Sequence, residues 1–202
     1  MNIAVEKPPE LVDKERGQAF KCNIPDTKVF SCFKPIPSML SNLPISRIPP
    51  HKQYTILFAD LNSENPLGLA IEVGWRFFEW TDDGLLGARI MWVHRGESGL
   101  VYFNIGRFVV GSMIGFQAAE ALQSRASYYF RILALPQIYI FAIWLRRVDG
   151  ESPEPADLLM PINPAPEAAA LPPRISPFEP LFPYTTDAFF GLVREVLPQA
   201  QA

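Results

Sequence analysis

Cysteine and histidine are scarce in this chain, which limits the sites it can build. Among 202 residues there are two cysteines, Cys22 and Cys32, and two histidines, His51 and His94. Two thiols do not make a disulfide framework, and these four residues have no paired spacing of the kind that binds zinc. We therefore expect no disulfide framework and no metal site.

The motifs that carry common chemistries are also missing. There is no G-x-x-x-x-G-K-[ST] phosphate loop, no dinucleotide spacing of glycines and no G-x-S-x-G elbow. Both cysteines lie in proline-rich sequence, "KCNIP" and "FSCFK", which is not a recognisable nucleophile context. The sequence predicts no catalytic residue and no cofactor.

The sequence has no excess of positive charge, and its first residues do not resemble a secretory leader. The chain has 18 basic and 21 acidic side chains, for a net charge of -3, so nothing in its electrostatics predicts a nucleic-acid partner. The first residues, "MNIAVEKPPELVDKERGQ", lack the apolar segment of a signal peptide. We expect an intracellular, cytoplasmic protein with reduced thiols, and its 49% hydrophobic content predicts a folded core.

A long uninterrupted apolar segment is absent as well. The most apolar stretch, 128–147, is interrupted by Arg131, Pro136 and Gln137, and its longest apolar run is Ile138–Leu145. A membrane-spanning helix needs about 20 apolar residues. The run is rich in β-branched and aromatic residues and apolar on both faces, which is typical of a central strand. We therefore predict two strands joined near Pro136, and no membrane span.

Prolines mark where regular structure belongs. Of the 21 prolines, nine lie at or before Pro66, twelve at or after Pro136, and none between them. Regular hydrogen bonding should therefore concentrate in the middle of the chain. We predict an α+β fold with a mostly antiparallel sheet of five or six strands, one main helix at 107–125 and a short C-terminal helix at 185–199. The predicted strands are 54–60, 67–80, 85–95, 99–105, 128–135 and 138–147.

The regions outside this core are rich in both proline and apolar residues. We predict a proline-rich N-terminal arm at 1–53, a core domain at 54–147, an extended strap at 148–184 and a terminal helix at 185–202. Apolar side chains in the arms indicate ribbons that lie against the domain or a partner, with 166–173 as the candidate mobile portion. In the main helix, Gly111 and Gly115 favour close packing on the sheet over membrane dimerisation.

Charged residues inside the β-rich runs form the candidate site. A two-residue Asp83-Gly84 turn would place Arg76 opposite Met91, Phe78 opposite Arg89 and Glu72 opposite Arg95. This surface is either a solvent-facing side of the sheet or a binding face in which tryptophans anchor a partner and arginines orient it. The candidate binding residues are Glu72, Trp75, Arg76, Trp80, Arg89, Trp92 and His94.

Two functions remain open from the sequence. The favoured hypothesis is a non-enzymatic interaction or assembly subunit, with a protein partner or self-assembly through the arms and the aromatic sheet face. The alternative is a small enzyme or a small-ligand-binding protein whose pocket lies between sheet and arms and uses His94, Glu72 and Arg76.

Overall fold

The computed structural model describes residues 1–8, 48–80, 86–94, 97–105, 107–122, 126–138, 140–148, 157–162 and 178–200. Both cysteines, the Asp83-Gly84 turn, Arg95 and the predicted mobile portion at 166–173 lie outside the described residues.

One mixed sheet with two α-helices makes up the described structure, which confirms the predicted α+β class. The sheet has nine strands instead of five or six, and two of its pairings are parallel while six are antiparallel. The elements are β1 Asn2–Ala4, β2 His51–Thr55, β3 Ile71–Trp80, β4 Leu86–His94, β5 Glu97–Ile105, α1 Arg107–Ala121, β6 Ser127–Leu135, β7 Ile140–Arg147, β8 Asp157–Ile162, β9 Tyr184–Thr185 and α2 Thr186–Ala200.

Strand β6 occupies the centre of the sheet, whose order is β5-β4-β3-β2-β6-β7-β8-β9. One edge of β6 pairs antiparallel with β7, and the other edge pairs in parallel with β1 near its start and with β2 near its end. A 3-10 turn at Pro136–Ile138 joins β6 to β7. The apolar stretch is therefore two adjacent strands, as predicted. No helix in the described part of the chain is long and apolar enough to span a membrane.

Three strands that the sequence did not predict lie within the proline-rich regions: β1, β8 and β9. Pro161 is tolerated inside β8 because its carbonyl accepts a hydrogen bond from the Leu181 N–H at 2.9 Å, on the side away from β7. The N–H and C=O of one strand residue point to the same edge, so the missing proline N–H costs no bond to β7.

The strand predicted at 54–60 is shifted toward the N-terminus. Strand β2 ends at Thr55, and a 3-10 helix follows at Phe58–Asn62, with a second at Pro66–Leu69. Asn65 accepts a hydrogen bond from the Gly68 N–H through its side chain, a local contact that favours a turn over a strand. Strand β3 accordingly starts at Ile71 and not at 67.

Helix α1 covers one face of the sheet, which we call the α1 face. Its glycines contact the sheet directly: a Cβ on Gly111 would lie 2.3 Å from Ile162, and one on Gly115 would lie 2.0 Å from Ile143. Distances this short leave no room for a methyl group. The prediction that these glycines serve helix-on-sheet packing is confirmed.

Helix α2 covers part of the opposite face, the α2 face. Its apolar residues belong to one buried cluster with odd residues of β6 and even residues of β7. The Trp144 indole N–H donates to the Asp157 carboxylate at 2.8 Å. The buried side chains of this core include Tyr54, Leu133, Leu135, Ala142, Trp144, Leu159, Phe178, Phe189, Phe190, Val193 and Leu197. The C-terminal region is thus part of the core.

Candidate functional site

The β3–β4 hairpin has a different register from the predicted one. Arg76 lies opposite Ile90, and Arg89 lies opposite Phe77, one residue away from the expected pairing. The last paired residues are Trp80 and Leu86, so five residues connect the strands where two were predicted. Since a one-residue shift moves side chains to the other face, the two arginines lie on opposite faces of the sheet and do not form one surface.

Burial also differs from the expectation of a solvent-facing charged surface. Arg76 is 0% exposed, Arg89 6% and Trp75 3%, whereas Glu72 remains exposed. Apolar cross-strand neighbours such as Ile90 and Phe77 enclose the arginines. The interpretation of Arg76 and Arg89 as part of a solvent-facing charged surface is therefore wrong, whereas Glu72 is exposed as that interpretation expects.

The remaining candidate residues lie in β3 and β4. Trp92 is half-buried, and its indole packs so close to Gly99 that a Cβ there would lie 2.7 Å from the indole nitrogen. Of Trp80 and His94 the structure describes the backbone only, at the end of β3 and of β4. A binding role for the predicted set stays a prediction.

On the α1 face, a buried polar cluster lies beneath the helix. The Arg76 guanidinium donates to the Gln53 side-chain oxygen at 3.3 Å, and His51 lies opposite Arg76 in the ladder. The ring of His51 contacts those of Phe78 and Phe130 at centroid distances of 5.3 and 4.9 Å. Burial, together with the nearby Arg76 charge, lowers the pKa of His51 to about 3. This histidine is therefore neutral at physiological pH and is enclosed by protein.

On the α2 face, Arg131 is enclosed by three aromatic rings. Its guanidinium carbon lies 5.2 Å from the ring centroid of Tyr54, 5.7 Å from that of Tyr129 and 5.3 Å from that of Trp144. Both carboxylate oxygens of Glu6 accept hydrogen bonds from its Nε and Nη2 atoms. A buried guanidinium needs such a partner, and the N-terminal segment supplies it.

A cleft opens on the same face between the N-terminal segment and the sheet. Its volume is about 570 Å³. The Nζ atom of Lys52 donates to the Glu72 carboxylate at 2.9 Å and lies 5.4 Å from the ring centroid of Trp75. Lys52 therefore covers the one tryptophan of the lining, so Trp75 is not an exposed anchor. The lining consists of Val5, Glu6, Lys7, Lys52, Glu72, Trp75 and Tyr129.

Two ionisable groups in and below this cleft, Lys52 and Tyr54, have pKa values that are raised above their ordinary values. Burial works to lower the pKa of Lys52, but the hydrogen bond to Glu72 and the nearby negative groups outweigh it, so that pKa is raised. Burial raises the pKa of Tyr54, although the Arg131 and Lys52 cations oppose it. Lys52 is thus a cation and Tyr54 a neutral phenol at physiological pH.

A second, smaller cleft of about 400 Å³ lies at the start of α2. Arg194 closes one side of it by donating to the Ser63 carbonyl at 2.9 Å, and Asp187 and Glu64 place two carboxylates there. Within the described residues no group of three or more His, Cys, Asp or Glu side chains could hold a metal ion.

The structure brings only part of the predicted site together. Glu72 and Trp75 line the larger cleft, whereas Arg76 lies on the other face. Sequence reasoning missed Glu6, Lys52 and Arg131 as members of this region. An arginine inside an apolar strand was the available signal, because a buried guanidinium requires an acidic or aromatic partner from elsewhere in the chain.

Comparison with known proteins returned no match: no family model, no curated protein and no solved structure resembles this chain.

Proposed function

We propose that this chain is a non-enzymatic interaction or assembly subunit that binds its partner through extended segments. The observation that supports this proposal is the way the chain holds its own N-terminus. Strand β1 has three paired residues, and Glu6, which follows it, forms a buried ion pair with Arg131. A short backbone pairing with one charged anchor is how many extended peptides add to the sheet of another protein.

Exposed apolar side chains add support. Leu57, Leu69 and Ile71 are each about half exposed, and all three lie where β2 ends and β3 begins. Single exposed apolar residues are ordinary on protein surfaces, but several at one junction are typical of contact sites.

The proline-rich stretch between β1 and β2 is the segment to test. Removing 150–202 would not test it, because Leu159, Phe189 and Val193 belong to the core. Residues 10–45 can instead be replaced by about ten Gly and Ser residues, since β1 and β2 pair with neighbouring parts of β6 and a chain of that length spans about 17 Å.

Light scattering and a quantitative pull-down from the native host would compare the full chain with this variant. We expect the full chain to self-associate or to retain a partner that also binds when purified. The variant should lose that interaction while keeping the same circular dichroism and unfolding midpoint. A full chain that stays monomeric and retains the same proteins as the variant would refute the proposal.

A second candidate function is small-ligand binding in the larger cleft. The position of that cleft favours it, because one wall comes from the N-terminal segment and the other from β2, β3 and β6. The binding group would differ from the one expected from the sequence, since Glu72 and Arg76 do not converge.

A further inference from the structure

The larger cleft carries a charge imbalance that its internal pairs do not remove. Arg131 beneath it is paired with Glu6, and Lys52 is paired with Glu72. Lys7 also lines the cleft and makes no hydrogen bond or ion pair with any described residue. The lining residues alone carry two cations and two carboxylates, and the buried Arg131 beneath them brings the local sum to a surplus of one positive charge.

The guanidinium below the cleft is the source of this imbalance, because it is paired with Glu6, one of the two carboxylates of the lining. Arg131 is almost completely buried, and its Nη1 atom has no hydrogen-bond partner among the described residues. A charged group in a region of low dielectric acts more strongly on a nearby charge than it would in water. Both carboxylate oxygens of Glu6 accept hydrogen bonds from Arg131, so Lys7 is the cation of the cleft that has no paired carboxylate among the described residues.

The walls of the cleft also offer apolar contact beside the charge. Val5 is 59% exposed, and Tyr129 is a second lining residue with apolar surface. Small-ligand pockets have volumes of about 300–1,000 Å³ and combine apolar walls with a few polar groups that fix orientation. A volume of about 570 Å³ suits a compact ligand.

We propose that this cleft binds a small monocarboxylate, with its carboxylate toward Lys7 and its apolar body between Val5 and Tyr129. The inference rests on the second proposed function and names its ligand class. One negative charge on the ligand balances the surplus charge. A neutral ligand of the same shape would lack that interaction, and a cation would be repelled.

Phenylacetate, with phenylacetamide as the neutral control of matched shape, is a suitable probe pair. Amide chemical shifts of the full-length protein would be followed during titration with each compound. We expect phenylacetate to shift the signals of cleft residues, with phenylacetamide binding about fivefold more weakly, which corresponds to about 1 kcal/mol for a half-exposed ion pair.

Two substitutions should move the affinity in opposite directions. Lys7→Gln removes the surplus charge and should weaken phenylacetate binding about fivefold, whereas Glu72→Gln releases Lys52 and should strengthen it about threefold. Arg194→Gln removes one positive charge at the other cleft and should leave the affinity unchanged. Circular dichroism would verify that all three variants fold.

The outcomes separate this inference from the proposals on which it rests. Equal shifts with phenylacetate and phenylacetamide would overturn the carboxylate preference but keep the cleft as a ligand site. Absence of cleft shifts with both compounds would overturn the inference, as would equal effects of Lys7→Gln and Arg194→Gln. None of these results bears on the assembly role, which is tested through residues 10–45.

Discussion

Protonation of His51 should be strongly coupled to unfolding. The ring is 1% exposed, its Nδ1 atom donates to the Pro49 carbonyl at 3.0 Å, and its Nε2 atom has no hydrogen-bond partner among the described residues. A proton on Nε2 would place a second cation beside Arg76 in an apolar enclosure. The unfolded chain carries no such penalty, so it binds this proton at the ordinary histidine pKa.

The pKa difference sets the sign and size of the effect. The pKa of His51 is about 3 in the folded chain and 6.5 without burial, so between these values the unfolded state binds more protons. Stability from this group is therefore complete above pH 6.5 and is lost as the pH falls toward 3. Between pH 7 and pH 5 the loss from this one group amounts to about 2 kcal/mol.

Urea unfolding at pH 7 and pH 5, at constant ionic strength, measures this loss. Carboxylates titrate over part of the same range, so the control is His51→Asn, which retains a side-chain N–H donor near Pro49 but does not titrate. The natural chain should lose about 2 kcal/mol more than the variant between the two pH values. Equal losses in both proteins would refute the assignment of His51 as a buried neutral base.

Three further substitutions test the packing and ion pairs described above. Glu6→Gln leaves the buried Arg131 cation without a counter-charge and should cost about 3 kcal/mol in urea unfolding, against less than about 0.5 kcal/mol for the exposed Glu120→Gln. If Glu6→Gln lowered the free energy of unfolding as little as Glu120→Gln does, the ion pair would not be buried. Gly115→Ala should cost about 1 kcal/mol, because the contact of its methyl group with the buried end of Ile143 outweighs the gain in helix propensity, and adding Ile143→Val should restore part of the loss. Gly191→Ala, in α2 with no neighbour within 4 Å, should instead stabilise by about 0.5–1 kcal/mol, and a loss there would contradict the packing.

The central strands were predictable from the sequence because their signals are local. The β-branched and aromatic residues of 128–147, apolar on both faces and interrupted at Pro136, suffice to predict β6, the turn and β7. The segment without prolines likewise contains β3, β4, β5 and α1, and their ends lie within four residues of the predicted ends. In β6 and β7 the residues that define the element also form its core contacts.

The three short strands were not predictable because their stabilisation comes from distant residues. Strand β1 depends on pairing with β6 and on the contact of Glu6 with Arg131, residues more than 100 positions apart. Strand β8 contains Pro161, whose missing N–H is tolerated only because that position faces away from β7. The local strand propensity of a segment does not depend on such distant contacts and so does not reveal them.

The hairpin register failed for a related reason. Asp83-Gly84 is a strong two-residue turn signal, but five residues instead of two connect the strands between Trp80 and Leu86, and this changes which residues meet. A Cβ on Gly74 would lie 2.2 Å from the Met91 carbonyl oxygen, so this glycine permits close approach of the two backbones. The predicted candidate site does not form, because the shift of one residue places Arg76 and Arg89 on opposite faces of the sheet.

The central claim is that segments from both ends of the chain are strands of one sheet built around β6. Amide hydrogen exchange of the full-length protein tests it most directly. We expect the amides of Leu159 and Met160 in β8 to exchange nearly as slowly as those of Ile132 and Ile143, because all four residues are buried in the same sheet. Exchange of the β8 amides at the rate of an unstructured peptide, while β6 and β7 stay protected, would contradict the claim.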